Sequence, residues 1–348
     1  MTAETLNYRQ TAAMPYVRAW LIGVAALIFC MVIVGGATRL TDSGLSITEW
    51  KPLLGAIPPM TEAHWLDAFQ KYQLIPEYQQ INKGMTLDQF KFIYWWEWSH
   101  RFLGRVIGLA FFLPFAYFAV TGALNRSTAI RCGVLFILGG LQGALGWYMV
   151  ASGLVERVDV SQYRLAAHLS LATFIYGAIL WVSFGLGRHR HAPASGRQWW
   201  ALAIAVLVLL QIAAGGFVAG LDAGFGYNTW PLIDGAVVPK GLFAAEPWWR
   251  NMFENALTVQ FNHRMLAYVI FLLVAAQAYV ARSPSSLLLL AAVLGQVALG
   301  IWTLLWVVPL WLGLAHQGGA LLVFAAAIWN LHRSLLDRAP VLSEARAA

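Results

Sequence analysis

Seven stretches of this 348-residue chain hold no Asp, Glu, Lys or Arg for 17 residues or more, and the last of them runs for 50. A helix that crosses a bilayer needs about 20 mostly apolar residues. Residues 19–38, 106–125, 132–155, 165–187, 198–221 and 265–281 each suit one span. Residues 283–332 are too long for one, and Pro309 near their middle predicts a tight hairpin between two helices. The pattern predicts an all-α membrane protein with eight transmembrane helices. Composition agrees: 59% of residues are hydrophobic and 11% charged, against about 25% charged in soluble domains. The net charge of +7 is dispersed between apolar runs, which excludes a nucleic-acid surface. No cleavable signal or transit peptide precedes the first apolar run, so a bacterial inner membrane is expected. Cys30 and Cys132 lie in apolar runs toward opposite sides, so no disulfide is expected between them.

The sequence repeats. Residues 35–50 read GGATRLTDSGLSITEW and 215–230 read GGFVAGLDAGFGYNTW, matching without gaps at Gly35/Gly215, Gly36/Gly216, Asp42/Asp222, Gly44/Gly224 and Trp50/Trp230. WSHR (98–101) and FNHR (261–264) follow, each opening a span. Then come LQGALGW (141–147) and GQVALGIW (295–302), and last His168 and His316. Motifs recurring in one order, four spans apart, predict two pseudo-symmetric four-helix bundles of the same topology. The expected halves are 1–190, with a large loop, and 191–348. In the first loop, Thr86 and Gln89 form a capping box that opens a helix over TLDQFKFIYWWEW, expected to run straight into the second span. Residues 61–73 read as a surface helix with Trp65 and Phe69 on one side.

Of eight histidines, His100, His168, His263 and His316 fall at one end of the even-numbered spans. Any one alone would be an ordinary interfacial side chain. Four in a repeated pattern point to ligands, because such groups inside spans are costly and usually functional. Two imidazoles facing across a bundle can take both axial positions of a haem iron, so each half is expected to hold one haem. Zinc is disfavoured, since neither a Cys-x-x-Cys nor a His-Glu-x-x-His motif is present. His64, His189, His191 and His332 receive no role. Arg101, Arg264 and, less directly, Arg105 are candidate partners for haem propionates, which arginine pairs well. Glu97 stands three residues before His100, on the same helix face. Its counterpart is Gln260, which cannot ionise. The first half therefore reads as chemically active and the second as passive.

With EWSHR, the glycine-rich GGATRLTDSGLSITEWKPLLGAIPP, LQGALGWYMVASGL, FNHR and LAHQ in view, the chain closely resembles the heme A synthase family over nearly its whole length, in its long-loop, α-proteobacterial and mitochondrial-like form. The resemblance implies an oxidoreductase acting on a CH3 group, which turns the C8 methyl of haem O into a formyl to give haem A for terminal oxidases. It implies that Glu97 matches the essential glutamate, that His100 and His168 face the iron of substrate haem O, and that His263 and His316 ligate a haem b cofactor. Implied partners are a haem O synthase and oxidase-assembly proteins. The electron acceptor and any homo-oligomer are left open. Some family members carry a cysteine pair in the first loop, and this chain has none there. Two other functions fit the histidines alone: a dihaem b-type electron-transfer protein linked to quinol, and a haem carrier without catalysis. Neither calls for an acid in one half only.

Orientation follows from the positive-inside rule. With an even number of spans, the side holding both termini carries eleven Lys or Arg and three Asp or Glu, while the other carries twelve and thirteen. Both termini are thus expected in the cytoplasm, and the loops 39–96 and 222–260 in the periplasm. Cysteines introduced at Ser195 and Gln79 should be labelled from opposite faces of the membrane. Labelling of both from the periplasm would overturn this topology.

Overall fold

The computed structural model describes residues 3–51, 54–156, 158–187 and 196–336. Among these it forms α1 (Ala3–Leu40), α2 (Glu62–Tyr72), α3 (Pro76–Gln80), α4 (Leu87–Val120), α5 (Arg126–Glu156), α6 (Gln162–Gly185), α7 (Gly196–Gly220), α8 (Ala223–Gly226), α9 (Asn251–Glu254), α10 (Ala256–Ala281), α11 (Pro284–Leu305) and α12 (Leu310–Ser334). Eight helices among the described residues are long and apolar enough to cross a membrane: α1, α4, α5, α6, α7, α10, α11 and α12. The boundary expected at 190/191, and His189 and His191 with it, lies outside the described residues.

Local chemistry sets the helix ends. The Thr86 side chain accepts from Gln89 N–H while Gln89 Oε1 accepts from Thr86 N–H, closing the expected capping box of α4. Pro309 is the N-cap of α12, and a short turn separates α11 from α12 where the hairpin was expected. The helix opened by the capping box runs straight into the second span, as expected, but stops short of the charge-free stretch's end at 125. α4 runs over 34 residues, about 51 Å at 1.5 Å per residue. It ends at Val120 and includes Asp88, Lys91, Glu97, Arg101 and Arg105. Charges extend the helix on its loop side because the loop supplies partners for Glu97, Arg101 and Arg105, as described below.

Helix α1 packs on α4 and α6, and α5 on α6; α7 packs on α10 and α12, and α11 on both of those. The seam between these groups is α6 against α7 and α1 against α12. The central stretch of α6 is 44% buried and those of α4 and α5 only 6%, so α6 is central and α4 and α5 face outward. One apolar cluster runs through the middle and takes Leu21, Ile179, Ile204 and Leu321 from both sides of the seam. Small residues let α6 and α7 meet backbone to backbone. A Cβ on Gly216 would stand 3.0 Å from Ala166 Cα, and one on Gly220 would stand 2.7 Å from Gln162 Cα. Gly216 and Gly220 form the four-residue small-residue spacing that favours close helix crossing in lipid. At one end of the seam the repeated turns meet. Asp42 and Asp222 both adopt left-handed backbone, at φ 47° and 51°. Arg39 binds both, at 3.0 and 2.9 Å, and also donates to the Ala219 carbonyl.

The first long loop has its own core. Tyr72 and Phe90 are fully enclosed, and Trp65 meets Tyr94 edge-on at 4.9 Å. The apolar side of α2 therefore packs down on α4 rather than on lipid, as a surface helix would have done. Glu77 of α3 lies against this core, 4% exposed. Asn82 Nδ2 approaches its Oε1 at 3.4 Å. Burial, reinforced by the nearby Glu97 and Asp42 charges, pushes its carboxyl from 4.5 up to about 8. A raised acid is protonated in the fold and ionised in the unfolded chain over that interval. Its neutral form thus favours the fold fully below about 4.5, and the benefit declines as pH climbs to about 8. The gap in melting temperature between Glu77→Gln and the parent protein should therefore widen in the variant's favour from pH 5 to pH 8. A gap independent of pH would show that Glu77 does not titrate there.

Candidate haem-binding site

His168 is the seventh residue of α6 and His316 the seventh of α12; His263 is the eighth of α10, and His100 lies deeper along the extended α4. The His100 and His168 rings stand with centroids 6.4 Å apart and planes at 62°. His263 and His316 occupy the corresponding helices of the second half, α10 and α12.

Each ring leans on a glycine of a neighbouring helix. A Cβ would lie 3.1 Å from His100 at Gly35, 2.9 Å from His168 at Gly146, 3.3 Å from His263 at Gly215 and 2.8 Å from His316 at Gly300. Three rings also meet a glutamine amide. Gln142 Nε2 stands 3.1 Å from His168 Nδ1 and donates to the His168 carbonyl at 3.0 Å. Gln211 does the same for His263 at 3.1 and 2.9 Å. Gln296 does so for His316 at 3.1 and 2.8 Å. Sequence reasoning missed these glutamines, although Gln142 and Gln296 occupy the same place in LQGALGW and GQVALGIW. The signal was a polar residue held in register inside an apolar repeat.

Two imidazoles sharing one metal at about 2 Å per bond place their ring centres about 6 Å apart, which the His100–His168 pair matches. Among the described residues no three His, Cys, Asp or Glu side chains gather as a metal cage. Paired imidazoles suit a group that brings its own equatorial ligands, as haem does. Arg264 adds a second requirement. Its Nη2 donates to the Tyr227 carbonyl at 3.0 Å, while Nε and Nη1 are buried with no hydrogen-bond partner. Buried guanidinium donors call for an acceptor, and a propionate carboxylate supplies one. The residues fit haem.

Arg101 is differently engaged. Its Nε and Nη2 donate to Glu97 Oε1 at 3.0 and 2.5 Å, Nη2 also to the Ile47 carbonyl at 2.8 Å, and Nη1 to the Glu49 carbonyl at 3.2 Å. One Nη1 hydrogen is left for a propionate. Arg105 Nη2 donates to the Lys51 carbonyl at 3.2 Å. Glu97 is buried rather than solvated. Its second oxygen accepts from Ser46 Oγ at 2.8 Å and from the Ile47 N–H at 2.7 Å. Four donors on two oxygens are the environment of a carboxylate. Glu97 and Arg101 together pin the GLSITEW loop over the His100 turn of α4. In the second half, Gln260 Nε2 and Arg264 both reach the Tyr227 carbonyl. Tyr227 is the repeat counterpart of Ile47, so an amide replaces the carboxylate at the same clamp.

Helical Gly→Ala changes ordinarily stabilise, by up to about 1 kcal/mol. At Gly300 the added methyl would meet the His316 ring. Gly300→Ala should leave the protein folded, the helix gain offsetting the crowding of the ring, and yet lower its low-spin b-type haem content, read from the optical spectrum of purified protein. Full haem content would mean that the glycine contact does not set the ligand.

Comparison with known proteins places this geometry. Residues 18–328 match the family of cytochrome oxidase assembly proteins. The chain is 58% identical over 319 residues to a heme A synthase of Parvibaculum lavamentivorans, covering 90% of this chain and 93% of that protein. It is 56% identical over 337 residues to a heme A synthase of Azorhizobium caulinodans, covering 94% and 96%. To a heme A synthase of Nitrosospira multiformis it is 49% identical over 326 residues, covering 90% and 92%. A multi-pass helical chain with paired histidines, matched end to end in this way, belongs to the cytochrome oxidase assembly protein family and, within it, to the heme A synthases.

Proposed function

We propose that the chain oxidises the C8 methyl of haem O to a formyl, with haem O held in the first half and haem b in the second. The observation that carries this reading is the buried Glu97 carboxylate one turn from His100, where the second half has Gln260. His100 and His168 face the substrate iron. His263 and His316 are the ligands of haem b, and Arg264 meets one of its propionates. Bound there, haem b supplies an iron that accepts and passes on single electrons.

The methyl is oxidised twice, through an alcohol to a hydrated aldehyde that loses water. Written with water as the oxygen donor, each oxidation takes up one H2O and releases two protons and two electrons, the electrons leaving to an external acceptor. Each oxidation draws electrons from an otherwise inert carbon and builds positive charge beside it. Glu97 is a fixed anion in a site shielded from water, and such a group stabilises developing positive charge without reorganising. Arg101, Ser46 and the Ile47 amide hold it in place. The Glu97 carboxylate is also the base that takes a released proton, with the Ser46 hydroxyl donating to its Oε2. The clamped loop excludes bulk water from this end of the bundle.

The same reading places the chain in a bacterial inner membrane, both termini cytoplasmic and the site at the periplasmic end. It implies a haem O synthase as supplier and oxidase-assembly proteins as recipients, with the electron acceptor unassigned.

In cells that make haem O, adding this protein should produce extractable haem A. Glu97→Gln copies the second half and keeps the side-chain shape. It should keep haem b and the fold while haem A formation falls by about 10²–10⁴, with haem O or the alcohol accumulating. Haem A formation near the parental rate would remove Glu97 from the chemistry. No haem A from the parent protein would favour the electron-transfer function.

A further inference from the structure

Phe111 and Phe112 of α4 meet Phe136 of α5, with ring centroids 6.3 and 5.3 Å apart. Gly108 stands one turn before the first two rings on α4. Gly139 and Gly143 stand one and two turns beyond Phe136 on α5, so the three glycines face one another across one gap. A Cβ on any of them would meet nothing within 4 Å. Glycines ordinarily draw helices together in lipid, as Gly216 and Gly220 do; these three touch no neighbour, so packing does not account for them. In the register that pairs His100 with His263 and Gln142 with Gln296, their counterparts are Phe271, Val293 and Val297. Val293 is 4% exposed in the central core, and Phe271 and Val297 pack against that core. Gly108, Gly139 and Gly143 are exposed. The central stretches of α4 and α5 are each 6% buried, and those of α10 and α11 28% and 22%. The first half thus keeps a cleft that the second half fills with side chains.

The cleft is continuous with the histidine site. Gly146, one turn beyond Gly143, lies against His168. On α4, Gly108 follows Glu97 by eleven residues, close to three full turns, so the cleft descends from the carboxylate along one side of the helix. The ring of haem O carries an isoprenoid tail at C2, on the same edge as the C8 methyl and away from the propionates. Turning the ring over, about the axis between its propionates, would put the C5 methyl in place of the C8 methyl and carry the tail to the opposite edge. Axial histidines and propionate partners bind both placements alike. We propose that the cleft between α4 and α5 takes the isoprenoid tail of haem O and so turns the C8 methyl, rather than the C5 methyl, toward Glu97. An apolar gap closed below by Phe112 and Phe136 suits a hydrocarbon chain, which asks for no hydrogen bond. Haem b has no such tail, and in the half that would hold it Phe271, Val293 and Val297 take the space. The proposal rests on the reading that the first half holds haem O, and it adds how substrate and methyl are both selected.

The test is an optical titration of purified protein, its second half already carrying haem b, with haem O and with haem b as added ligands. The parent protein should bind haem O in its first half at least about 10-fold more tightly than haem b, the scale on which apolar pockets resolve small changes in hydrocarbon. Gly108→Phe and Gly143→Val copy the second half. They should abolish this preference by weakening haem O alone, while an unchanged spectrum from the second half shows that the fold is intact. Gly108→Ala and Gly143→Ala, which helices favour, should do the same in smaller measure. In cells that make haem O, the filled variants should lose haem A, and what product remains should include the C5 formyl isomer, separable by chromatography. An undiminished preference for haem O in the filled variants overturns the proposal. Equal weakening of haem O and haem b also overturns it, because the ring and not the tail would then be displaced. A parent protein that binds the two haems alike overturns it too, and assigns the cleft to a lipid chain. In each of these cases haem A formation by the parent leaves the haem O reading standing. If the first half of the parent takes up neither haem, the proposal falls together with that reading.

Discussion

The site depends on a contact between an imidazole and a missing side chain. Each of the four histidines rests against a glycine of an adjacent helix, at a separation where one methyl group would crowd the ring. In lipid, no hydrophobic force drives one helix onto another, and helices associate through close packing and polar contacts. Glycine supplies the closeness, and the bulk of the ring fills what glycine leaves. The same economy of side chain brings α6 to α7 at Gly216 and Gly220. Ring placement and the central seam are thus set by one kind of packing.

Above the rings, a loop must stay put without a strand or a disulfide to hold it. Glu97 and Arg101 do this on one face of α4, binding the Ser46 hydroxyl and the backbone at Ile47 and Glu49. A buried ion pair adds little net stability, because desolvation offsets much of its attraction. What it adds here is registration, with two side chains one turn apart fixing a short loop over the His100 turn. The second half fixes its own loop at Tyr227 with Gln260 and Arg264, using one fewer charge. The carboxylate is therefore dispensable for holding a loop. That leaves its presence in the first half in need of a chemical reason.

The spans, the hairpin at Pro309, the capping box at Thr86 and the histidine quartet were legible in the sequence because each follows from local rules of charge, period and capping. So was the start of α4 at that box; its end was not, because a turn at Thr121 and Gly122 stops the helix at Val120, before any charge is reached. The apolar side of α2 was read correctly as a side, but nothing local said whether lipid or α4 would cover it. Arg101 was matched to a propionate because arginine pairs carboxylates. The carboxylate it meets in the structure is Glu97, four residues away on its own helix, and one Nη1 hydrogen is left over. Gln142, Gln211 and Gln296 were overlooked because a lone amide in an apolar run carries no signal until the ring beside it is seen. Glu77 was invisible for a similar reason: its burial comes from a loop core that no periodicity announces.

Arg39 has a consequence for how a doubled chain came to be unequal. It joins Asp42 and Asp222, the matching turns of the two repeats, while its own counterpart is Ala219. Two copies of the first half would bring two arginines and two aspartates to that spot, and two copies of the second a pair of aspartates with no cation between them. One arginine shared by two aspartates needs unlike halves. Two identical subunits related by a symmetry axis could not have carried this arrangement, because whatever one contributed the other would have had to repeat. Covalent fusion lifts that restriction. The junction thus records, in one cation and two anions, the licence under which the halves could differ.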